Sequence, residues 1–403
     1  MCIPAHRTIQ DIEDVDTVLR ERYVGDMINS GLDGVVAATT RLSHIDGERG
    51  ELIIGGFPVG ELAEHATFEE TTWLLWHGDL PSAGQLERFR SELGAQRALP
   101  PITISLLREC AQAGVDPMDA LRMAAGTISI ASADASAIVA RFPTIVAAFW
   151  RLGHRDEPLA PRGDLGHAAN FLYMLSGNVP DPERVRALET YLNTVIDHGL
   201  NASTFTSRVI TSTGSDLVSA VVGAVGALKG PLHGGAPGPA LDMVFEIGEA
   251  SRAEAILRKK IAAGEKLMGF GHRVYRVRDP RADVLAAAAE RLYTRAGDMS
   301  LYTLARSVEA TAIRLLEEYK PGRRLQTNVE FYTALLLHGL ELEVPLFTPT
   351  FAVSRVSGWI AHAFEQRRAN RIIRPQSEYS GPRDRKWVPI ENRTESGVGT
   401  TGC

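Results

Sequence analysis

Apolar and polar positions along the chain fall into two regimes. Only the first sixty residues read as strand: Val35 to Leu42 and Glu51 to Ile54 flank Ile45-Asp46-Gly47-Glu48-Arg49-Gly50, a polar run of turn-tolerant residues. That arrangement predicts a small antiparallel hairpin. Farther on, apolar residues recur at intervals of three and four, the spacing of helices buried along one face. Thr67 followed by Glu70 reads as a capping box ahead of Thr72-Trp73-Leu74-Leu75-Trp76, with Gly78 and Pro81 as the stop. Leu301, Leu304, Val308, Ala312, Leu315 and Leu316 mark a long helix ending before Pro321-Gly322, and Val353, Val356, Ile360, Ala363 and Phe364 mark another. The Arg/Pro/Ser-rich stretch from Arg371 to Glu395 reads as an irregular C-terminal arm. The pattern predicts a mostly α protein with a small N-terminal antiparallel β element.

Composition narrows the function. The 403 residues allow two or three units of about 150 residues each, or one large helical body with an inserted lobe. With 44% hydrophobic and 23% charged residues the chain is of ordinary globular type, which excludes fibrous or disordered classes. Lys+Arg number 43 against 49 Asp+Glu, a net charge of -6, so no nucleic-acid partner is expected and any anion site must be local. Cys2, Cys110 and Cys403 form neither a C-x-x-C pair nor an even framework, which argues against a disulfide scaffold or a cysteine-built zinc site. The start of the chain lacks an export signal, and the apolar stretch Ala137 to Trp150 is broken by Arg141 and Pro143. The expectation is a cytoplasmic protein with no membrane segment.

The unusual residues gather late in the chain. Three histidines sit beside glycines or acids: Asp197-His198-Gly199, Leu232-His233-Gly234-Gly235 and Gly269-Phe270-Gly271-His272. For any one of them, a locally bonded imidazole beside a turn glycine is the commoner explanation, with catalysis as the alternative. No H-x-x-x-H or H-E-x-x-H spacing links them, so no metal site is expected. After His272, Arg273, Arg276, Arg278 and Arg281 fall within nine positions. They read equally well as a solvated basic face or as a grip on a multiply anionic small molecule. Arg355 lies between apolar neighbours of a helix, where its charge requires an Asp, a Glu or a substrate carboxylate. Glu330, near the start of a helix running to Leu337, reads first as an acid complementing the helix dipole and second as a general base. No phosphate loop and no nucleophile elbow occurs, and Gly269-Phe270-Gly271 lacks the third glycine of a dinucleotide fingerprint.

Taken in order, these segments resemble the citrate synthase family, which includes the 2-methylcitrate synthases. The likeness runs from about Leu42 to about Gly381. Gly230-Pro231-Leu232-His233-Gly234-Gly235-Ala236 resembles the first catalytic histidine segment. Gly269-Phe270-Gly271-His272 with Asp279-Pro280-Arg281 resembles the second histidine and its substrate arginine, and Asn328-Val329-Glu330-Phe331-Tyr332 the third catalytic segment. Phe347-Thr348-Pro349, Ser354-Arg355, Gly358-Trp359-Ile360 and Ile373-Arg374-Pro375 resemble the closing anion-binding segments.

The resemblance implies a two-domain helical homodimer, with residues 1–233 and 338–403 in the large domain and 234–337 in a small domain on the acyl-CoA side. It implies condensation of oxaloacetate with acetyl-CoA and water to citrate and CoA, with propionyl-CoA and 2-methylcitrate as the alternative. No metal or redox cofactor is required. His198, Arg281 and Arg355, with Arg374 from the partner subunit, would hold oxaloacetate. Lys266, Arg273 and Arg276 would neighbour the CoA phosphates. Glu330 would remove the thioester α-proton, His233 would stabilise the enol oxygen and His272 would polarise the keto carbonyl. Two positions depart from the family pattern. Glu330 stands in place of an aspartate, so either the backbone absorbs the extra methylene or the chain is a slow or repurposed relative. Gly55 stands where an arginine is usual, which implies one anion contact fewer.

Overall fold

The strand signal resolves into β1 (Ser43–Asp46), β2 (Glu51–Ile54) and β3 (Phe57–Pro58), an antiparallel sheet in the order β1-β2-β3. The structure is a computed structural model describing residues 30–32, 34–130, 134–234, 237–272 and 274–393. Ser43 pairs with Ile54 and Asp46 with Glu51, so the turn is 47–50 and the strand expected over Val35–Leu42 is absent. That segment has no ladder to join. Val36 is 86% exposed, and the Arg41 N–H donates to a side chain, Glu365 Oε1 at 2.9 Å. Asp46 Oδ1 accepts from the N–H groups of Glu48 and Arg49, which closes the turn.

The helices follow in chain order. The first eight are α1 (Val59–His65), α2 (Phe68–His77), α3 (Ala83–Gln96), α4 (Pro101–Gln112), α5 (Pro117–Gly126), α6 (Ala135–Gly153), α7 (His167–Ser176) and α8 (Pro182–Val195). Then come α9 (Ala202–Ser212), α10 (Leu217–Leu228), α11 (Pro237–Ile247), α12 (Ala250–Ala262), α13 (Pro280–Ala296), α14 (Ser300–Tyr319), α15 (Val329–Gly339) and α16 (Phe347–Arg368). The capping box predicted at Thr67 is formed: its side chain accepts from the Glu70 N–H, Glu70 Oε2 accepts from the Thr67 N–H at 2.8 Å, and Gly78 ends α2 in the left-handed region. On α14 the predicted stripe is the buried one, with Val308, Ala312 and Leu315 fully enclosed. Beyond α16, over the described residues 369–393, the arm is irregular apart from one short turn, Ile390–Asn392.

Helix α6 is long and apolar enough to cross a membrane, yet it is a core element packed by α3, α4, α5, α7 and α16. Arg141, which interrupts its apolar run, is accommodated because its Nε donates to the carbonyls of Gln96 and Ala98. Cys110 is a buried free thiol, and Cys2 and Cys403 lie outside the described residues.

Helix α16 is the hub, touching α2, α6, α8, α9 and α10. It is buried along almost its whole length and extends beyond the 351–364 span of its apolar stripe. Helices α11 to α15 pack mainly on one another, while α13 also lies against α1 and α8. Where α16 crosses the exit of α8, Ser354 Oγ donates to Leu192 O at 2.5 Å and Arg355 Nε donates to Val195 O at 2.6 Å. Gly358 permits this approach, because a β-carbon there would stand 2.2 Å from Ile196 O. Gly358→Ala is therefore expected to cost about 1–3 kcal/mol of stability, read as a lowered midpoint of thermal unfolding. An unchanged midpoint would show that the crossing is not tight.

Candidate active site

Six segments meet at the exit of α8, and each brings a side chain that the sequence singled out. The residues after α8 supply His198, the turn after α10 supplies His233, and the loop before α13 supplies His272. Arg281 stands in the first turn of α13, Glu330 in the first turn of α15, and Arg355 midway along α16. His272 and Glu330 are held together by the backbone. The Gly271 N–H donates to Gln326 O at 2.7 Å, the Asn328 N–H to Gly269 O at 3.0 Å, and Asn328 Nδ2 to Gly271 O at 2.8 Å. Gly269 has a φ of 88°, and a β-carbon there would lie 2.9 Å from Phe331 Cβ, so glycine is required for the two segments to meet.

Backbone donors assign both tautomers. At His233 the Ser203 N–H donates to Nε2 at 3.4 Å, and Ser203 Oγ, itself fixed by Trp359 Nε1 at 3.1 Å, lies 2.8 Å from the same nitrogen. The proton is thus on Nδ1. At His272 the relation is reversed. Nδ1 accepts from the N–H groups of Val274 and Tyr275 at 3.0 and 3.2 Å, leaving the proton on Nε2. That Nε2–H lies 3.4 Å from Arg281 Nη2, two donors side by side with no acceptor between them.

The positive charge here is large and buried. Arg281 is clamped through Nε and Nη2 to Asp279 at 3.0 and 2.8 Å, and both residues are almost fully enclosed. Arg355 is 1% exposed; it gives Nε to Val195 O, lies 4.6 Å from the Phe351 ring centre, and its terminal nitrogens bond to no described residue. Burial pushes the Arg355 guanidinium down to about 10, against the pull of Asp197. Burial, with Arg355 beside it, also lowers His233 to about 4; burial with Arg281 nearby does the same for His272. His198 is held well below its usual value by burial and by both arginines. All three imidazoles are neutral at physiological pH. Burial raises the Glu330 carboxyl to about 7 against the pull of Arg281 and Arg355, and its oxygens bond to no described residue.

Not every expected residue joins this cluster. Lys266 and Arg276 are exposed and outside it, and Arg273 lies outside the described residues. Arg278 is a structural ion pair with Asp283 and Glu309. Arg374 is exposed on the arm, which is tied by the Ile373 N–H to Ser212 Oγ. Ser212 ends the eleven-residue α9, whose length of about 15 Å separates it from Ser203. At Gly55, with φ 56°, a β-carbon would stand 2.8 Å from Leu74 Cγ, so this position faces the core and takes no anion contact from the cluster.

The family model described as "Citrate synthase, C-terminal domain" matches residues 31–376. The chain belongs to the citrate synthase family. It is 42% identical to citrate synthase 2 of Bacillus subtilis over 90% of this chain and 98% of that protein. It is 39% identical to the 2-methylcitrate synthase of Mycobacterium tuberculosis H37Rv over 89% of this chain and 92% of that protein. Among solved structures, the ternary complex of Thermoplasma acidophilum citrate synthase with carboxymethyl coenzyme A and oxaloacetate superposes with a TM-score of 0.84 at 30% identity. It covers 92% of this chain and 100% of that one.

Sequence reasoning missed the residues that make this citrate synthase-family cluster workable. Asp279 was visible only as part of the Asp279-Pro280-Arg281 segment, with no role of its own, Ser203 and Tyr275 carried no signal, and Asp197 was noted merely as the neighbour of His198. Asp197 is fully buried; burial alone would raise its carboxyl, but His362 at 3.1 Å and Ser43 at 2.5 Å hold it below the usual range. Removing the carboxylate in Asp279→Ala strands a buried guanidinium. The expected loss is about 3–5 kcal/mol, measured as a large drop in the thermal midpoint; a drop no larger than that of a surface substitution would contradict the clamp.

Proposed function

We propose that this chain is a citrate synthase-type acyltransferase condensing acetyl-CoA with oxaloacetate and water to give citrate and CoA. The observation that carries this reading is the meeting of two imidazoles, each offering a single N–H of assigned tautomer, with an unpaired carboxylate under the pull of two buried guanidiniums. Arg281, Arg355 and His198 hold the two carboxylates of oxaloacetate, and the keto oxygen takes the place between the His272 Nε2–H and Arg281. Glu330 removes a proton from the thioester α-carbon while the His233 Nδ1–H stabilises the enol oxygen. The enol carbon then bonds to the keto carbon, whose oxygen gains a proton through His272. Water cleaves the thioester of this adduct, releasing citrate and CoA.

Residues 234–337, which take in α11 to α14 and most of α15, form the lobe that presents acyl-CoA and closes on the large domain. Lys266 and Arg276 are assigned to its phosphates, together with Arg273 on the family segment alone. In a cytoplasmic homodimer, Arg374 on the arm completes the partner's oxaloacetate site, which accounts for its distance from its own. The likeness to 2-methylcitrate synthases supports a second acyl donor, propionyl-CoA. One methylene is worth about 1–3 kcal/mol in an apolar pocket, so a clear preference is expected in the ratio of kcat/KM values.

CoA release with oxaloacetate and either thioester is expected from the purified protein. Absence of release with both, from protein that still binds oxaloacetate, would overturn the reading. Glu330→Gln is expected to lower kcat by at least about 100-fold while oxaloacetate still raises the melting temperature. The pH dependence has a defined sign. Glu330 acts only when ionised, so kcat/KM is expected to fall as pH drops through about 7, while His233 and His272 stay neutral down to about 4. A profile flat between pH 5 and about 8 would exclude Glu330 as the base.

A further inference from the structure

The small sheet is remote in sequence from the catalytic segments, yet it touches two of them. In the β1–β2 turn, Gly47 O accepts the Arg276 N–H at 2.9 Å, and a β-carbon at Gly47 would stand 2.1 Å from Val274 O. Gly50 approaches the next residue pair less closely, where a β-carbon would lie 2.8 Å from Val277 Cγ2. At the other end of β1, Ser43 Oγ donates to Asp197 Oδ2 at 2.5 Å and accepts the Gly199 N–H at 2.9 Å. One hairpin thus braces both the segment carrying His198 and the segment following His272.

Tyr275 lies between those segments and is 3% exposed. Its hydroxyl is 3.2 Å from His198 Nε2, and its N–H donates to His272 Nδ1. Its ring centre is 4.9 Å from that of His272 and 5.8 Å from that of His198, with the Arg281 guanidinium 5.8 Å away. A phenol buried for packing alone needs only a nearby carbonyl. This one is bonded to an imidazole, and burial raises it far enough that it stays protonated.

We propose that Tyr275, braced by the β1–β2 turn, is a positioning residue that sets the spacing of His198 and His272 around oxaloacetate. The assignment rests on the function proposed above. Its hydroxyl orients His198, its backbone N–H fixes the His272 tautomer, and the glycine at position 47 lets the turn press the loop into place.

Tyr275→Phe keeps the ring and the N–H and removes only the hydroxyl. The expected result is an oxaloacetate KM raised about tenfold, with kcat changed less than about threefold and the thermal midpoint little altered. Gly47→Ala, outside the site, is expected to raise the same KM by displacing the loop, and the two changes together to be less than additive. Wild-type KM in Tyr275→Phe would overturn the assignment. Calorimetric titration with oxaloacetate alone separates it from the synthase reading. Weakened binding by Tyr275→Phe in a protein that releases no CoA supports the positioning role and rejects only the synthase. Unchanged binding beside vigorous CoA release retains the synthase and rejects the role.

Discussion

Arg281 and Arg355 are buried in the same region of the molecule, and a guanidinium withdrawn from water must be met by charge or by acceptors. Asp279 meets Arg281 through Nε and Nη2. Arg355 receives one carbonyl and the influence of Asp197, and its remaining donors are left for a ligand. This incomplete neutralisation governs the surroundings. Together with burial, which acts most strongly, it keeps the three imidazoles uncharged, and it opposes the burial that would otherwise push Glu330 still higher. A site with spare buried positive charge is suited to a dianion and poorly suited to a neutral substrate.

Asp197 has to remain ionised for the balance to hold, and a chain of polar contacts reaching the surface keeps it so. Arg208 Nη1 donates to His362 Nδ1 at 3.1 Å, which places the His362 proton on Nε2, facing Asp197. Arg208 is in turn paired with Glu365 at 2.8 Å, and Glu365 Oε1 accepts the Arg41 N–H. The segment leading into β1 is therefore anchored to the same helix that carries Arg355. Helix α16 combines two tasks: it forms the apolar centre of the bundle and it holds the polar line that sets the charge of the site.

Much of the architecture was legible in the residues. The Thr67–Glu70 box, the stripe of α14, the start of α15 and the irregular arm are present as expected. The expected strand at Val35–Leu42 is not, because only its end meets a neighbour's backbone, where Leu42 O accepts the Gly55 N–H at 2.8 Å, while the Arg41 N–H finds a glutamate side chain instead. The family segments brought His198, His233, His272, Arg281, Glu330 and Arg355 into view, and the fold gathers all six. The dense arginine run was ambiguous in sequence and proves to be divided: Arg281 turns inward onto Asp279, Arg278 ties α13 to α14 through Glu309, and Arg276 faces solvent.

What the sequence by itself determined is the helical build, the caps and the family segments that carry the candidate groups, because these depend on interactions within about four residues or on the order of short segments. Only the tertiary structure decided which nitrogen of each histidine carries its proton, which arginine is left unsatisfied and where Tyr275 stands. Those outcomes depend on partners far apart in the chain: Ser203 thirty residues from His233, Tyr275 seventy-seven from His198, Val195 one hundred and sixty from Arg355. No local pattern encodes a hydrogen bond or a field whose two ends meet only after the bundle has packed.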